Sequence, residues 1–251
     1  MLSTIIIIVI MIIIIYMVIF VKKKDYYQYD PINDYADIRD NFKTGDIVVF
    51  SCKKHDDFYC KMEYYLRTNF VGTEFGHSGI ILRIKNKIYL VECTNKMHVG
   101  DEYAHRLNNL GKGGIRIINF DKLIRHYQKE YSATFAVKFI SQEIPNETVL
   151  RAIGDYKNVT FRKKSLVVFM AMIDICISHQ LAHELFHNQN SNKMICCEFV
   201  HHILNKCGVL APYPSYLFWP PLIMEGTLDK LALTKYSRPY KFEIKGNLDE
   251  Q

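Results

Sequence analysis

Two short stretches, far apart in this 251-residue chain, hold the residue types of a thiol reaction. Phe75-Gly76-His77-Ser78-Gly79 runs into the apolar Ile80-Ile81-Leu82, and Glu92 closes the next apolar run. Met194-Ile195-Cys196-Cys197-Glu198 runs into Phe199-Val200. A cysteine attacks only as thiolate, and a free one is mostly protonated at neutral pH. Cys196 follows a polar break and opens a predicted helix. The first turn of a helix carries partial positive charge and N–H groups with no partner inside the helix. The N–H groups at Cys196 and Cys197 could also hold the oxyanion of an acyl transfer. His77 could take and return the proton, and Glu92 could keep the imidazole in one orientation. The Cys196-Cys197 doublet leaves the nucleophile open between two thiols. Hairpin register leaves Thr94 or Asn95 as stand-ins for Glu92. The bland alternative is that both cysteines are ordinary core residues.

These residues need elements to position them. Gly45-Asp46 reads as a turn before a short apolar strand, Ile47 to Phe50. Tyr59, Met62, Tyr65 and Leu66 recur at helical spacing within Phe58 to Phe70. His77–Ile84 and Lys87–Cys93 read as strands joined by the tight turn Lys85-Asn86, a predicted hairpin. That turn would bring His77 and Glu92 to the same end of two paired strands. Further strands are expected at Ile115 to Phe120, Thr134 to Ile140 and Tyr240 to Ile244, with a helix over Asp121 to Lys129. After Pro145 the pattern turns helical: Asn146 to Tyr156, Ser165 to Phe186, and Cys196 to Cys207, the last ended by Gly208. Strands first and helices later argue α+β. His201-His202 reads as surface, Trp219 as core, and Asp46 as a turn-shaping residue.

In order and spacing the pieces resemble the permuted papain-like hydrolases, the YiiX-like branch of the NlpC superfamily, related to lecithin:retinol acyltransferase. The likeness rests on Gly45-Asp46, His77-Ser78-Gly79-Ile80-Ile81-Leu82, Val91-Glu92 and Cys196-Cys197-Glu198-Phe199-Val200. It spans roughly Asp46 to Leu204. It implies an antiparallel sheet with packed helices, Cys196 as nucleophile, His77 as base and Glu92 as third polar group. The implied substrates are amides or esters in peptides or lipids, with no cofactor. Cys197 beside Cys196 and the apolar insert Ser165 to Phe186 depart from that pattern.

A second motif competes. His183-Glu184-Leu185-Phe186-His187 is a formal H-E-x-x-H and resembles a zincin, with two imidazoles on one helical face and a glutamate as general base. The metzincin extension fails, because Asn190 and Lys193 stand where a glycine and a third histidine belong. A zinc metalloprotease through His183, Glu184 and His187 is therefore an alternative, as is an inert tethered binding domain of the same fold.

Composition sets outer bounds. The formal charge of +6 is spread without a dense basic stripe, which argues against nucleic acid as partner. The seven cysteines are odd in number and form no C-x-x-C pair, which suits a reducing compartment and argues against a zinc knuckle. Leu2 to Val21 is apolar and uncharged; about twenty residues would span about 30 Å as a helix, a bilayer core. Lys22-Lys23-Lys24 on its C-terminal side would place the following domain in the cytosol. The expected organisation is a transmembrane anchor with basic flank over 1–24, a tether over 25–44, the hydrolase domain over 45–245 and a polar tail over 246–251. A single-pass membrane protein with the membrane as partner and a peptide or lipid as substrate follows from that organisation.

Overall fold

The computed structural model describes residues 12, 32–54, 58–94, 113–156, 158–162, 170, 173, 178–186, 192–215, 218–224 and 226–246. A seven-stranded sheet forms the middle layer, in the order β1-β9-β6-β2-β3-β4-β5. Its strands are β1 (Asn33–Asp34), β2 (Ile47–Ser51), β3 (His77–Ile84), β4 (Lys87–Thr94), β5 (Gly114–Asn119), β6 (Thr134–Lys138) and β9 (Tyr240–Glu243). The α+β class holds, but β1 and β9 run parallel within this sheet, so it is mixed and not antiparallel throughout as expected. β7 (Thr160–Phe161) and β8 (Lys193–Met194) make a separate parallel pair.

Both faces of the sheet are covered, which is why its strands read as unbroken apolar runs rather than alternating ones. One face carries Val49, Ile80, Leu82, Val91 and Ile117. It packs against α4 (Asn146–Gly154), α6 (Cys196–Lys206) and the buried Met170, Ile173 and Ala182. The other face carries Val48, Phe50, Ile81, Leu90 and Ile118, and packs against α1 (Tyr35–Ile38) and α3 (Phe120–Tyr131). In α3, Phe120, Leu123, Ile124 and Tyr127 are buried, a single helical stripe. Asn119 caps its start by accepting from the Lys122 N–H at 2.9 Å. Between β3 and β4 the two-residue turn needs a left-handed residue, and Lys85 takes it with φ of 55°. The remaining helices are α2 (Phe58–Leu66), followed by a π turn over Arg67–Val71, α5 (His179–Phe186), α7 (Pro220–Met224) and α8 (Thr227–Leu231).

Two expectations change. Among the described residues no helix is long and apolar enough to cross a membrane. The longest, α3, has 12 residues and one polar face, about 18 Å against a bilayer core of about 30 Å. Leu2–Val21 itself lies, Ile12 apart, outside the described residues. The transmembrane helix, the membrane partner and the cytosolic side inferred from it are withdrawn. The stretch expected as a tether over 25–44 is, from Asn33 on, part of the folded body. Asn33 pairs with Phe242, and Tyr35 and Phe42 are fully buried. Tyr35 Oη donates to Asp121 at 2.7 Å, and Phe42 sits among Tyr35, Phe120, Phe139 and Phe242 with ring centroids 5.5–5.9 Å away. Of the helix expected over 165–186, α5 is described as a run; most of the rest lies outside the described residues.

Because Phe42 is a core residue and not part of a linker, Phe42→Ala is expected to cost about 3–5 kcal/mol. Leu233→Ala, at a position 68% exposed, should stay within about 0.5 kcal/mol. Urea midpoints for the two variants check this; equal midpoints would return the segment to the role of a tether.

Candidate active site

The three predicted residues meet where α6 approaches the start of β3. His77 is the first residue of β3 and lies opposite Phe50, their ring centroids 5.2 Å apart. Register pairs Ile80 with Val91, so Gly79 lies opposite Glu92 and His77 is its diagonal neighbour on the same face. The His77 Nε2–H donates to Glu92 Oε2 at 2.5 Å, which leaves Nδ1 for the Cys196 sulfur, with which His77 also shares a hydrogen bond. Glycine at 79 keeps this corner open, since a Cβ there would fall 2.9 Å from Leu90 Cγ and from the Val91 carbonyl oxygen. Gly76 is required for a different reason. A Cβ would lie 2.2 Å from Arg67 Cζ, so the guanidinium occupies the place of a side chain. Arg67 Nη1 in turn donates to the Glu74 carbonyl at 2.5 Å, bracing the approach to His77.

Glu92 is fully buried and takes a second partner on its other side. Register sets Arg116 of β5 directly across from it, and Arg116 Nε and Nη2 both reach Glu92 Oε1 at 2.5 Å. Arg116, 1% exposed, also donates to Tyr127 Oη at 3.2 Å. Burial pushes the Glu92 carboxyl up, but Arg116 and then His77 outweigh it and hold it down at about 2. His77 moves the other way. Burial opposes its charge, while the Cys196 thiolate and Glu92 favour it and push it up to about 10. Cys196 is held well below the usual thiol range by the hydrogen bond from the Cys197 thiol. Burial opposes that shift, and the charge of His77 and the Ser78 N–H add to it. Both shifts favour the thiolate–imidazolium form of the pair, with a carboxylate behind the imidazole and a guanidinium behind the carboxylate.

The cysteine doublet divides into two roles. Cys196 is the sulfur that faces His77. Cys197 is fully buried, and burial together with the Cys196 charge pushes its thiol well up. Beneath them Cys93 Sγ lies 3.7 Å from the Met194 carbonyl oxygen. The helix start is held from below by Arg162, whose Nη2 donates to the Lys193 carbonyl at 2.6 Å and to Glu198 Oε2 at 3.2 Å. Glu198 Oε2 also accepts from the Ile195 N–H at 3.3 Å, closing the first turn.

Arg116 and Arg162 were not foreseen. Arg116 carried a signal: a lone cation inside Ile115-Arg116-Ile117-Ile118 cannot enter a core without a buried anion. Arg162, which opens the basic run Arg162-Lys163-Lys164, carried none. His201, expected on the surface, is 3% exposed; it lies 5.2 Å from the Phe218 ring, and its Nε2–H donates to the Ala211 carbonyl at 3.2 Å. The returning proline-rich chain covers it. His183 and Glu184 are exposed on α5, where Glu184 accepts from Gln180 at 3.2 Å. His187 lies outside the described residues. Among those residues no group of three or more His, Cys, Asp or Glu side chains could hold a metal ion.

No protein-family profile matches the chain. It is 42% identical over 216 residues to an uncharacterized protein of Acanthamoeba polyphaga mimivirus, a match covering 84% of this chain and 86% of the relative. The chain belongs to the family of that mimivirus protein.

The ion chain has a measurable pH signature. Glu92 is at about 2 in the fold against an ordinary value of 4.5. Its contribution is thus complete above 4.5 and is lost as pH falls from 4.5 towards 2. Glu92→Gln is expected to lower stability at neutral pH by about 3–5 kcal/mol, because it strands Arg116 in the core, and to make the acid limb shallower. Urea unfolding from pH 7 down to pH 2 tests both; an unchanged acid limb would mean that folding leaves the Glu92 carboxyl at its ordinary value.

Proposed function

We propose that this protein is a cysteine-dependent acyl hydrolase or acyltransferase acting on amide or ester bonds, of the permuted papain-like kind. The observation that carries the reading is the contact between Cys196 and His77, with Glu92 on the far nitrogen of the same ring. That arrangement is a nucleophile, a proton shuttle and an orienting group in the order the chemistry needs.

The steps follow from the charges. The Cys196 thiolate attacks the carbonyl carbon; a carbon–sulfur bond forms, and the carbonyl π pair moves onto oxygen. N–H groups of the first turn of α6 face the charge that develops there. As the tetrahedral species collapses, the His77 imidazolium gives its Nδ1 proton to the leaving nitrogen or oxygen, and the carbon–heteroatom bond breaks. An acyl-thioester on Cys196 and a neutral imidazole remain. Water or another acceptor then attacks the thioester while His77 Nδ1 takes its proton, and the thiolate leaves. Throughout, Glu92 holds Nε2 and keeps the ring from turning. Arg116 keeps Glu92 ionised, so that the carboxylate never competes for the proton. The antiparallel β2-β3-β4-β5 core, with the cysteine helix laid against it, supports the likeness to the permuted papain-like family.

Alkylation with iodoacetamide tests this directly on the full chain, mapped by mass spectrometry across pH 5–10. Cys196 is expected to react at pH 6 at least about tenfold faster than Cys207, whose thiol burial pushes up to about 11. In His77→Ala that advantage should vanish at pH 6 and return only towards pH 9. If Cys196 alkylates no faster than Cys207 in the wild-type protein, the thiolate and the function built on it are both lost.

A further inference from the structure

Two serine hydroxyls are buried beside this site with no hydrogen-bond partner among the described residues. Ser51 and Ser78 are both 0% exposed, and among the described residues neither Oγ has a hydrogen-bond partner. Buried hydroxyls nearly always find one, and a serine on a strand can usually reach a backbone carbonyl. Leaving one unpaired costs the full desolvation of the group, so two on one face call for a reason.

Their position supplies it. Ser78 lies opposite Val49, and Ser51 is two residues further along β2, so the two share a face and are diagonal neighbours. That face is the one carrying Val49, Ile80 and Leu82 beneath α6, where Cys196 is also packed. Ser78 is tied to the sulfur itself, since its backbone N–H bonds to Cys196. Its hydroxyl therefore belongs to the residue whose backbone N–H holds the nucleophile, on the face that packs against α6.

We infer that Ser78 is the side-chain oxyanion donor of this site. The inference rests on the acyl-transfer reading above. When the thiolate adds to a carbonyl, the charge leaves sulfur and appears on the carbonyl oxygen. The Ser78 N–H then loses its first acceptor as the Ser78 O–H gains its first. The released N–H and the hydroxyl are then two donors on one residue available to the new anion, together with the N–H groups opening α6. No bond to Ser78 forms or breaks, and its proton stays on Oγ. Such a donor acts mainly on the transition state, because before the reaction it has no partner among the described residues. Ser51 lacks the backbone link to Cys196 and serves as the internal comparison.

The test separates a reaction that makes an oxyanion from one that does not. Iodoacetamide alkylates a thiolate by displacement at a saturated carbon and develops no oxyanion. Acetylation of Cys196 by p-nitrophenyl acetate passes through a tetrahedral oxyanion. Ser78→Ala is expected to slow acetylation of Cys196 by about 10²–10³-fold, with alkylation at pH 6 unchanged within about twofold. The thermal midpoint should stay level or rise, since an unpaired hydroxyl has been removed. Ser78→Thr, which keeps the hydroxyl, should recover most of the acetylation rate, and Ser51→Ala should retain it. Equal slowing of both reactions in Ser78→Ala would overturn the inference, since Ser78 would then act through the thiolate. Unchanged acetylation would overturn it as well. If wild-type Cys196 alkylates fast yet is not acetylated faster than Cys207, the acyl-transfer reading itself fails, a result separate from either outcome in Ser78→Ala.

Discussion

A carboxylate with no exposure to water is the constraint from which the rest of this site follows. Glu92 cannot remain ionised in the core without cations at both oxygens. Arg116 supplies one from β5 and His77 the other from β3, so three adjacent strands must hold a single register. Side chains alternate between faces, and a slip of one residue would move Glu92 to the opposite face, among Ile80, Ile117 and the packed helices, and leave Arg116 without its anion. The short turn at Lys85-Asn86 prevents that slip locally, and the ion chain penalises it globally. Gly79, directly across from Glu92, completes the arrangement by adding no side chain where Leu90 and the Val91 carbonyl already are.

The thiol arrives from the other layer. Phe50, which contacts His77, belongs to the core on the α3 side, whereas Cys196 belongs to the core on the α6 side. A residue in the middle of β3 could not serve both layers, because the sheet would stand between them. As the first residue of the strand, His77 lies at the sheet's end, where its ring can face Glu92 with one nitrogen and the sulfur with the other. The helix that brings the sulfur needs its own anchor, and Arg162 provides it by joining β8 to the first turn of α6 through the Lys193 carbonyl and Glu198. Two buried arginines thus hold the two halves of the site, one behind the base and one beneath the nucleophile.

How much of this could be read from the chain depends on how local the signal is. The strand and helix runs around His77, Glu92 and Cys196 were legible because periodicity, the Lys85-Asn86 turn and the Gly208 stop are short-range features. α6 ends with Gly208 at φ of 71°, the conformation glycine is suited to provide. The register that selects Glu92 over Thr94 or Asn95 was not legible, since it depends on the partner strand β5 and its arginine. The role of residues 33–44 was missed for the same reason. Asn33-Asp34 is too short to read as a strand, and it forms one only because β9, some two hundred residues later, offers it an edge. The expectation of a membrane helix came from the opposite situation, a composition so uniform that hydropathy alone decided it; no helix among the described residues carries that expectation further.

The cysteine doublet shows why structure had to choose where spacing could not. Two adjacent thiols at the start of one helix feel the same dipole, so the helix alone cannot prefer one. Both cannot ionise together, because each thiolate raises the other's cost; they titrate as a pair, with one proton shared between them. What breaks the tie is the direction in which each faces. Cys196 points to a cation and to the Ser78 N–H, while Cys197 is enclosed with Glu198 beside it. The shared proton therefore rests on Cys197, which donates it to its neighbour. The second cysteine thus acts as a hydrogen-bond donor that serine could imitate in form, though its hydroxyl is far less readily deprotonated and its oxygen smaller.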